Sequence, residues 1–254
     1  MKHLITVFFT IVLFANQNTH AQHITDSIRW RKENNIVNRD SAYANPYYGM
    51  QKLLGGNSRF QRGKSIFPRQ NHKVIKKLSE GQHPFATIVG CSDSRVSAEI
   101  LFDQGFGDLF VCRTAGQVMA EATYGTIEYS YLNLGTKLIV VLGHTGCGAV
   151  HAAIKRPEAP PGHIVCLINA IKPAVKEAEN MPGNNEHNAI HLNVINQVNQ
   201  LRQLEPVLSR AYENGELLIV GAIYDLGTGK FEFLKETIEN LPATQYSKRN
   251  ITGL

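Results

Sequence analysis

At 254 residues, with 43% hydrophobic and 19% charged residues, the chain has the size and composition of an ordinary folded globular protein. That balance excludes a largely disordered chain, because enough apolar surface is available to offset the entropy of ordering. The formal net charge of +5 is mild for this length and the basic residues are scattered, which argues against a nucleic-acid-binding stripe.

The chain opens MKHLITVFFTIVLFANQNTHAQ, in which Lys2 precedes an apolar stretch from Leu4 to Ala15 and then the polar run ending Thr19-His20-Ala21. That order is the signature of a secretory signal, and about a dozen apolar residues are too few to span a bilayer as a mature helix. Residues 1–21 are therefore expected to be a signal peptide cleaved after Ala21. No cysteine follows closely, so a lipid anchor is not expected; an uncleaved membrane anchor is the lesser alternative, and the leading expectation is no stable anchor. The mature protein is expected to be exported, to a periplasm or outside the cell, as a single domain over residues 22–254. Loss of Lys2 changes the formal charge from +5 to +4.

Residues 22–45 are polar and mixed. Helical apolar spacing over Pro46 to Phe60 and Ser65 to Glu80 predicts an N-terminal helical arm packed on the domain or on a neighbouring subunit. Lys73 to Lys77 in HKVIKK reads as a solvated helix face. FATIVG, Phe85 to Gly90, predicts a buried strand ending at Cys91, and Leu109 to Cys112 predicts a second. Val118 to Leu134 is helical in spacing, and Leu138 to Leu142 is a third strand ending at Gly143 and His144. Helices are expected after Cys147 and from His163 to about Asn180, with Pro157, Pro160 and Pro161 between them. A long helix is expected from His187 to Tyr212, bent near Pro206. Glu216 to Asp225 gives a fourth strand, and Lys230 to Leu234 pairs back across LGTG as a hairpin. The predicted fold is α/β: a mainly parallel sheet, four parallel strands plus a hairpin edge strand, flanked by helices.

Ligands of such sheets gather outside the carboxyl ends of the strands, where Cys91 and His144 fall. The first begins CSDSR, Cys91 to Arg95; the second begins HTGC, His144 to Cys147. Two thiolates and one imidazole suit zinc and leave a fourth position open, so Cys91, His144 and Cys147 read as a catalytic-type zinc site. Gly146 and Gly148 allow close approach of backbone. Asp93, two residues from a ligand, would occupy the open position unless held aside, and a bidentate pair with the guanidinium of Arg95 does that. A metal-activated water near neutral pH would then attack a small electrophile such as carbon dioxide.

Both motifs, CxDxR and HxxC, resemble those of the β-class carbonic anhydrases. Further likeness runs through NSRFQRG, GQHPFATIVG, LFVCRTAG, GTIEYSYLNLG and YDLGTGKFEF, from about Asn57 to Leu234. The resemblance implies a zinc enzyme interconverting carbon dioxide and bicarbonate, built as a homodimer or a dimer of dimers. It implies Cys91, His144 and Cys147 as zinc ligands and Asp93 with Arg95 as the gating dyad. Gln82 matches a glutamine that donates to bound substrate across the subunit interface. Phe110 and Tyr129 match apolar pocket positions, and the Gly148 N–H matches a donor to a substrate oxygen. Two departures stand out. Many relatives have RNAGN where this chain has Arg113-Thr114-Ala115-Gly116-Gln117. Members with a second, inhibitory bicarbonate site carry a tryptophan at the position of Ile88, and the only tryptophan here is Trp30. An open site is therefore expected, with Asp93 paired to Arg95.

Other readings stand beside these. Four cysteines in an exported chain allow three disulfide pairings. Cys112 and Cys166 read as small buried apolar residues, with a bridge between them left open. His151 reads as a surface or packed histidine, and His163, His187 and His191 lack companions at metal spacing. The rival functions are hydrolysis of carbon disulfide or carbonyl sulfide at the same site, separated by assaying both substrates, and a non-catalytic zinc- or bicarbonate-binding protein, which would hold metal without turnover.

Overall fold

Runs rich in Val, Ile and Leu become the parallel strands that burial on both faces requires. The computed structural model describes residues 45–155, 160–239, 241–244 and 246. The expected signal segment with its cleavage point, the 22–44 stretch with Trp30, and Pro157 lie outside the described residues. Strands β1 (Ala86–Cys91), β2 (Leu109–Thr114), β3 (Leu138–His144) and β4 (Leu218–Tyr224) are mutually parallel where they pair, and β5 (Phe231–Phe233) runs antiparallel to β4. The order across the sheet is β2-β1-β3-β4-β5, so the expected four parallel strands and hairpin edge are present.

Period-two alternation along each strand divides the core into two layers. Val89, Ile139, Val141 and Ile219 face one side, under α4 (Glu121–Leu132), α5 (Gly148–Lys155), α6 (Ile164–Ala178), α7 (Asn185–Arg202) and α8 (Leu208–Glu213). Ile88, Val140, Leu142 and Val220 face the other, under α1 (Pro46–Gln61) and α3 (Ala98–Leu101). Helix α1 carries Tyr47, Met50 and Leu53 into that second layer, so the expected arm is an integral cover of the sheet. Helix α7 docks unusually close to the sheet on its other face. A Cβ built on Gly143 would lie 2.5 Å from Val194 Cγ2, and one on Gly221 2.8 Å from Val194 Cγ1. Glycine on adjacent strands thus makes the groove that seats Val194.

The helix expected over Ser65 to Glu80 is confined to α2 (His72–Leu78), capped by Asn71, whose side chain accepts from Val74 N–H. Residues 66–69 are held away from helix because Phe67 and Arg69 take φ of +49° and +56°, on either side of Pro68. The Ile66 and Phe67 N–H groups donate to the Asp103 carboxylate at 3.0–3.1 Å. The long helix expected from His187 to Tyr212 is two, α7 and α8, parted around Pro206. Helix α4 is shorter than expected, β2 runs two residues longer to Thr114, and α3 and α9 (Lys235–Ile238) are short elements that the periodicity did not signal. Cys166 is exposed rather than buried. It precedes Ile168 by two residues, which at 100° per residue puts it opposite the buried Ile168–Ile171–Val175 face.

Asp103 is buried, and it pairs with Arg59 as well as with the two backbone donors. Burial alone would raise its pKa, yet these donors outweigh burial and hold the carboxyl below its ordinary value. A depressed folded pKa gives stability that is present above the unfolded value of about 3.9 and is lost as pH falls through the folded value. Asp103→Asn is expected to lower unfolding stability by about 2 kcal/mol at pH 7. Urea titrations of both proteins should show that gap narrowing below about pH 4.

Candidate metal centre

The register of β1 on β3 sets Gly90 opposite Leu142, so Cys91 and His144 emerge at neighbouring carboxyl ends of the sheet. Cys147 follows in the turn that feeds α5. All three residues are buried, and their ligand atoms lie within 4.8 Å of one another; among the described residues this is the group of three or more suited to a metal. His163, His187 and His191 do not join it, and His151 is 53% exposed and faces Glu186 at 3.8 Å.

Each ligand has a partner that fixes its chemical state. The Nδ1 of His144 lies 2.9 Å from the Thr145 carbonyl, which can only accept, so Nδ1 carries the proton and Nε2 presents a lone pair. Nε2 is buried without a hydrogen-bond partner, as expected of an atom meant for a cation. Gly116 N–H donates to Cys91 Sγ at 3.3 Å, and the N–H groups of Val150 and Ala149, at the start of α5, donate to the Cys147 sulfur. Hydrogen bonding from Cys147 pulls the Cys91 thiol well below its ordinary value against the opposing effect of burial. Holding that proton, together with burial, pushes Cys147 up. Two thiols that compete for one proton beside a neutral imidazole are a donor set that a dication completes, and the set fits zinc with a fourth position free.

Asp93 stands at the rim of this group. Arg95 grips it at both oxygens, Nε to Oδ1 at 2.9 Å and Nη2 to Oδ2 at 2.7 Å, and the Arg95 backbone N–H adds a third bond to Oδ1 at 2.9 Å. The Arg95 guanidinium holds the Asp93 carboxyl well below the usual carboxylate range. Asp93 Oδ2 lies 4.0 Å from His144 Nε2, close to the ligands yet committed to arginine. Arg113 then ties the loop to the strand end, donating to Cys91 O at 2.9 Å and to Asp93 O at 2.7 Å.

The family described as carbonic anhydrase matches residues 86–231, a span that holds every one of these residues. A carbonic anhydrase of Mycolicibacterium smegmatis is 39% identical over 194 residues, covering 74% of this chain and 93% of that protein. Carbonic anhydrase 2 of Mycobacterium tuberculosis is 39% identical over 204 residues, covering 78% and 96%. Among solved structures, the β-carbonic anhydrase CcaA aligns with a TM-score of 0.59 at 25% identity, covering 77% of this chain and 99% of that one. The chain belongs to the β-class carbonic anhydrase family. It is a zinc-dependent lyase that reversibly hydrates carbon dioxide to bicarbonate.

For a β-carbonic anhydrase, the remaining predicted residues are widely spread within one chain. Gln82 is exposed and precedes β1, whose five residue steps from Ala86 to Cys91 cover about 17 Å. Phe110 pairs with Thr87, four residues short of the Thr114–Cys91 pair, or about 13 Å up the strand. Tyr129 is 48% exposed, with its ring 6.3 Å from that of Phe110. Gly148 does open α5 beside Cys147, and a Cβ built on it would meet nothing within 4 Å. Arg113 is visible in the sequence only as part of RTAGQ, and its grip on Cys91 O and Asp93 O has no local signal. Asn193 and Gln197 had one: they fall on the same face of α7 as the buried Ile190, Val194 and Leu201. The four cysteines are free thiols, and burial pushes Cys112 up to about 11.

Metal analysis of the purified protein should find about one zinc per chain at neutral pH, falling to near zero in Cys147→Ala. Because both sulfurs must be deprotonated to bind, zinc should be released progressively on acidification, as followed by a chromogenic chelator.

Proposed function

We propose that Cys91, His144 and Cys147 hold the zinc of this enzyme, that Asp93 and Arg95 gate its open position, and that a second copy of the chain completes the substrate pocket. The observation that carries the gate is the bidentate Arg95–Asp93 pair beside three buried, converging ligands. Zinc held there acidifies a water molecule and so supplies a nucleophile near neutral pH. Asp93 cannot serve Arg95 with both oxygens and also fill the fourth position, so the pair keeps that position free and leaves a carboxylate acceptor at its edge. Ile88 supports the open state, as an apolar side chain packed wholly in the sheet core. The N–H of Gly148, at the start of α5 and under open space, is suited to donate to a substrate oxygen.

Gln82, Phe110 and Tyr129 lie toward the end of the sheet away from the ligands, and among the described residues β2, which carries Phe110, is an edge strand with a partner on one side only. An unpaired strand edge with a half-exposed aromatic pair beside it suits association with another copy. A cavity of about 220 Å³ between β2 and α4, lined by Arg113 and Thr126 among others, offers space at that edge. The reading is a homodimer, or a dimer of dimers, in which Gln82 of one copy serves the zinc of the other. Among the described residues no helix is long and apolar enough to cross a membrane, and export after cleavage at Ala21 is part of the same proposal.

Stopped-flow hydration assays of metal-quantified protein test the roles directly. Cys91→Ala should fall to the uncatalysed background, and Gln82→Ala should lose activity with zinc retained. Co-expressing the two variants should restore activity, because half the dimers are hybrids with one intact site of two, giving about a quarter of the wild-type rate. No restoration in verified hybrids would show that Gln82 acts within its own chain or not at all. Sequencing the amino terminus of protein recovered from the exported fraction should read from Gln22, and a terminus at Met1 overturns cleavage.

A further inference from the structure

Gly116, whose N–H reaches Cys91 Sγ, lies in the turn that carries β2 away from the sheet. Val118 N–H closes this turn on Ala115 O, and its central residues Gly116 and Gln117 take φ of +63° and +48°. Consecutive left-handed residues make a mirror-image turn, a conformation that L side chains disfavour. At Gly116 the missing side chain matters twice, since a Cβ would also lie 2.9 Å from Ile171 Cδ1 and 3.0 Å from Ala149 Cβ. A turn of this kind needs restraint from outside to stay at one geometry.

Helix α7 supplies it. Asn193 Nδ2 and Gln197 Nε2 both donate to Gly116 O, at 3.1 and 3.2 Å, and Gln197 Nε2 also donates to Asn193 Oδ1 at 3.0 Å. Asn193 is 1% and Gln197 6% exposed, on a helix face otherwise occupied by Ile190, Val194 and Leu201. Burying an amide costs free energy unless it is paired, so this pair is explained by what it holds. What it holds is a carbonyl on the same residue whose N–H bonds the metal ligand.

We propose that Asn193 and Gln197 are positioning residues that act through Gly116: by fixing its carbonyl they keep its N–H on the Cys91 sulfur and set how much charge that thiolate donates to zinc. The inference rests on Cys91 being a zinc ligand. A hydrogen bond to a thiolate withdraws electron density, and a less donating sulfur leaves the metal a stronger Lewis acid.

Asn193→Leu and Gln197→Met remove the donors while nearly keeping volume. In cobalt-substituted protein the sulfur-to-cobalt charge-transfer band reads the donor strength of the thiolates. The double variant should move that band to longer wavelength, each single variant by less, and kcat of the zinc enzyme should fall about tenfold with KM unchanged. A folded, fully loaded double variant with its band at the wild-type position overturns the proposal. If the double variant does not fold, unmoved bands in both single variants overturn it equally. A band that Cys91→Ala leaves untouched defeats the ligand assignment itself, and the clamp with it.

Discussion

The arrangement of this protein depends on the register between β1 and β3. Side chains alternate across a sheet with a period of two, so sliding either strand by one residue would turn its apolar set to the wrong layer. Thr87–Gly90 and Ile139–Leu142 are buried throughout, and that burial selects a single register. Both faces are buried, so a slipped strand would stay dry but meet the wrong partners, leaving cavities and overpacked contacts that cost roughly 1–3 kcal/mol at each misfitted position. The same packing brings Cys91 and His144 to adjacent strand ends. The ligand geometry is therefore held by the core of the sheet, and a metal arriving there finds most of the ordering already done.

Electrostatics follow from where those ends lie. Two thiolates in a buried place would be costly alone, yet a dication balances them in number, and each sulfur also faces backbone N–H groups. Gly116 provides one donor to Cys91, and the first turn of α5 provides two to Cys147, where the helix dipole also favours negative charge. Fixed cations sit at the rim. Arg95 engages the Asp93 carboxylate and Arg113 engages two carbonyls of the same loop, so the rim residues hold each other without competing for the metal. Asp93 is thereby kept ionised and close while remaining outside the ligand set.

How much of this the sequence revealed depends on how local each cause is. The strands were legible because continuous apolar runs have few other uses, and the candidate metal group because cysteine, aspartate, arginine and histidine rarely crowd two strand ends for packing alone. The segment from Ser65 to His72 misled because its helical spacing is real, while what decides its conformation is the Asp103 carboxylate some 36 residues on. Cys166 misled in the opposite sense, through hydrophobic type rather than helix phase. The Asn193–Gln197 clamp bridges 77 and 81 residues to reach Gly116, so polarity on an apolar face was visible but its partner was not.

On the proposed role of Gln82, the length of the sheet bears on why one copy would be insufficient. Parallel strands deliver all their carboxyl ends to one side, which concentrates the ligands but leaves Gln82 and Phe110 toward the other. With about 17 Å of β1 between Gln82's end and Cys91, no side-chain rotation closes the gap within a chain. A two-fold axis beside an edge strand can set the amino-terminal end of one sheet against the carboxyl-terminal end of another, and β2 is the edge that bears both Phe110 and the Thr114 partner of Cys91. In that arrangement the rigid part of the site belongs to each sheet and the substrate-facing part to the contact between them. Weakening the contact would then cost turnover before it cost zinc, which separates an assembly defect from a ligand defect.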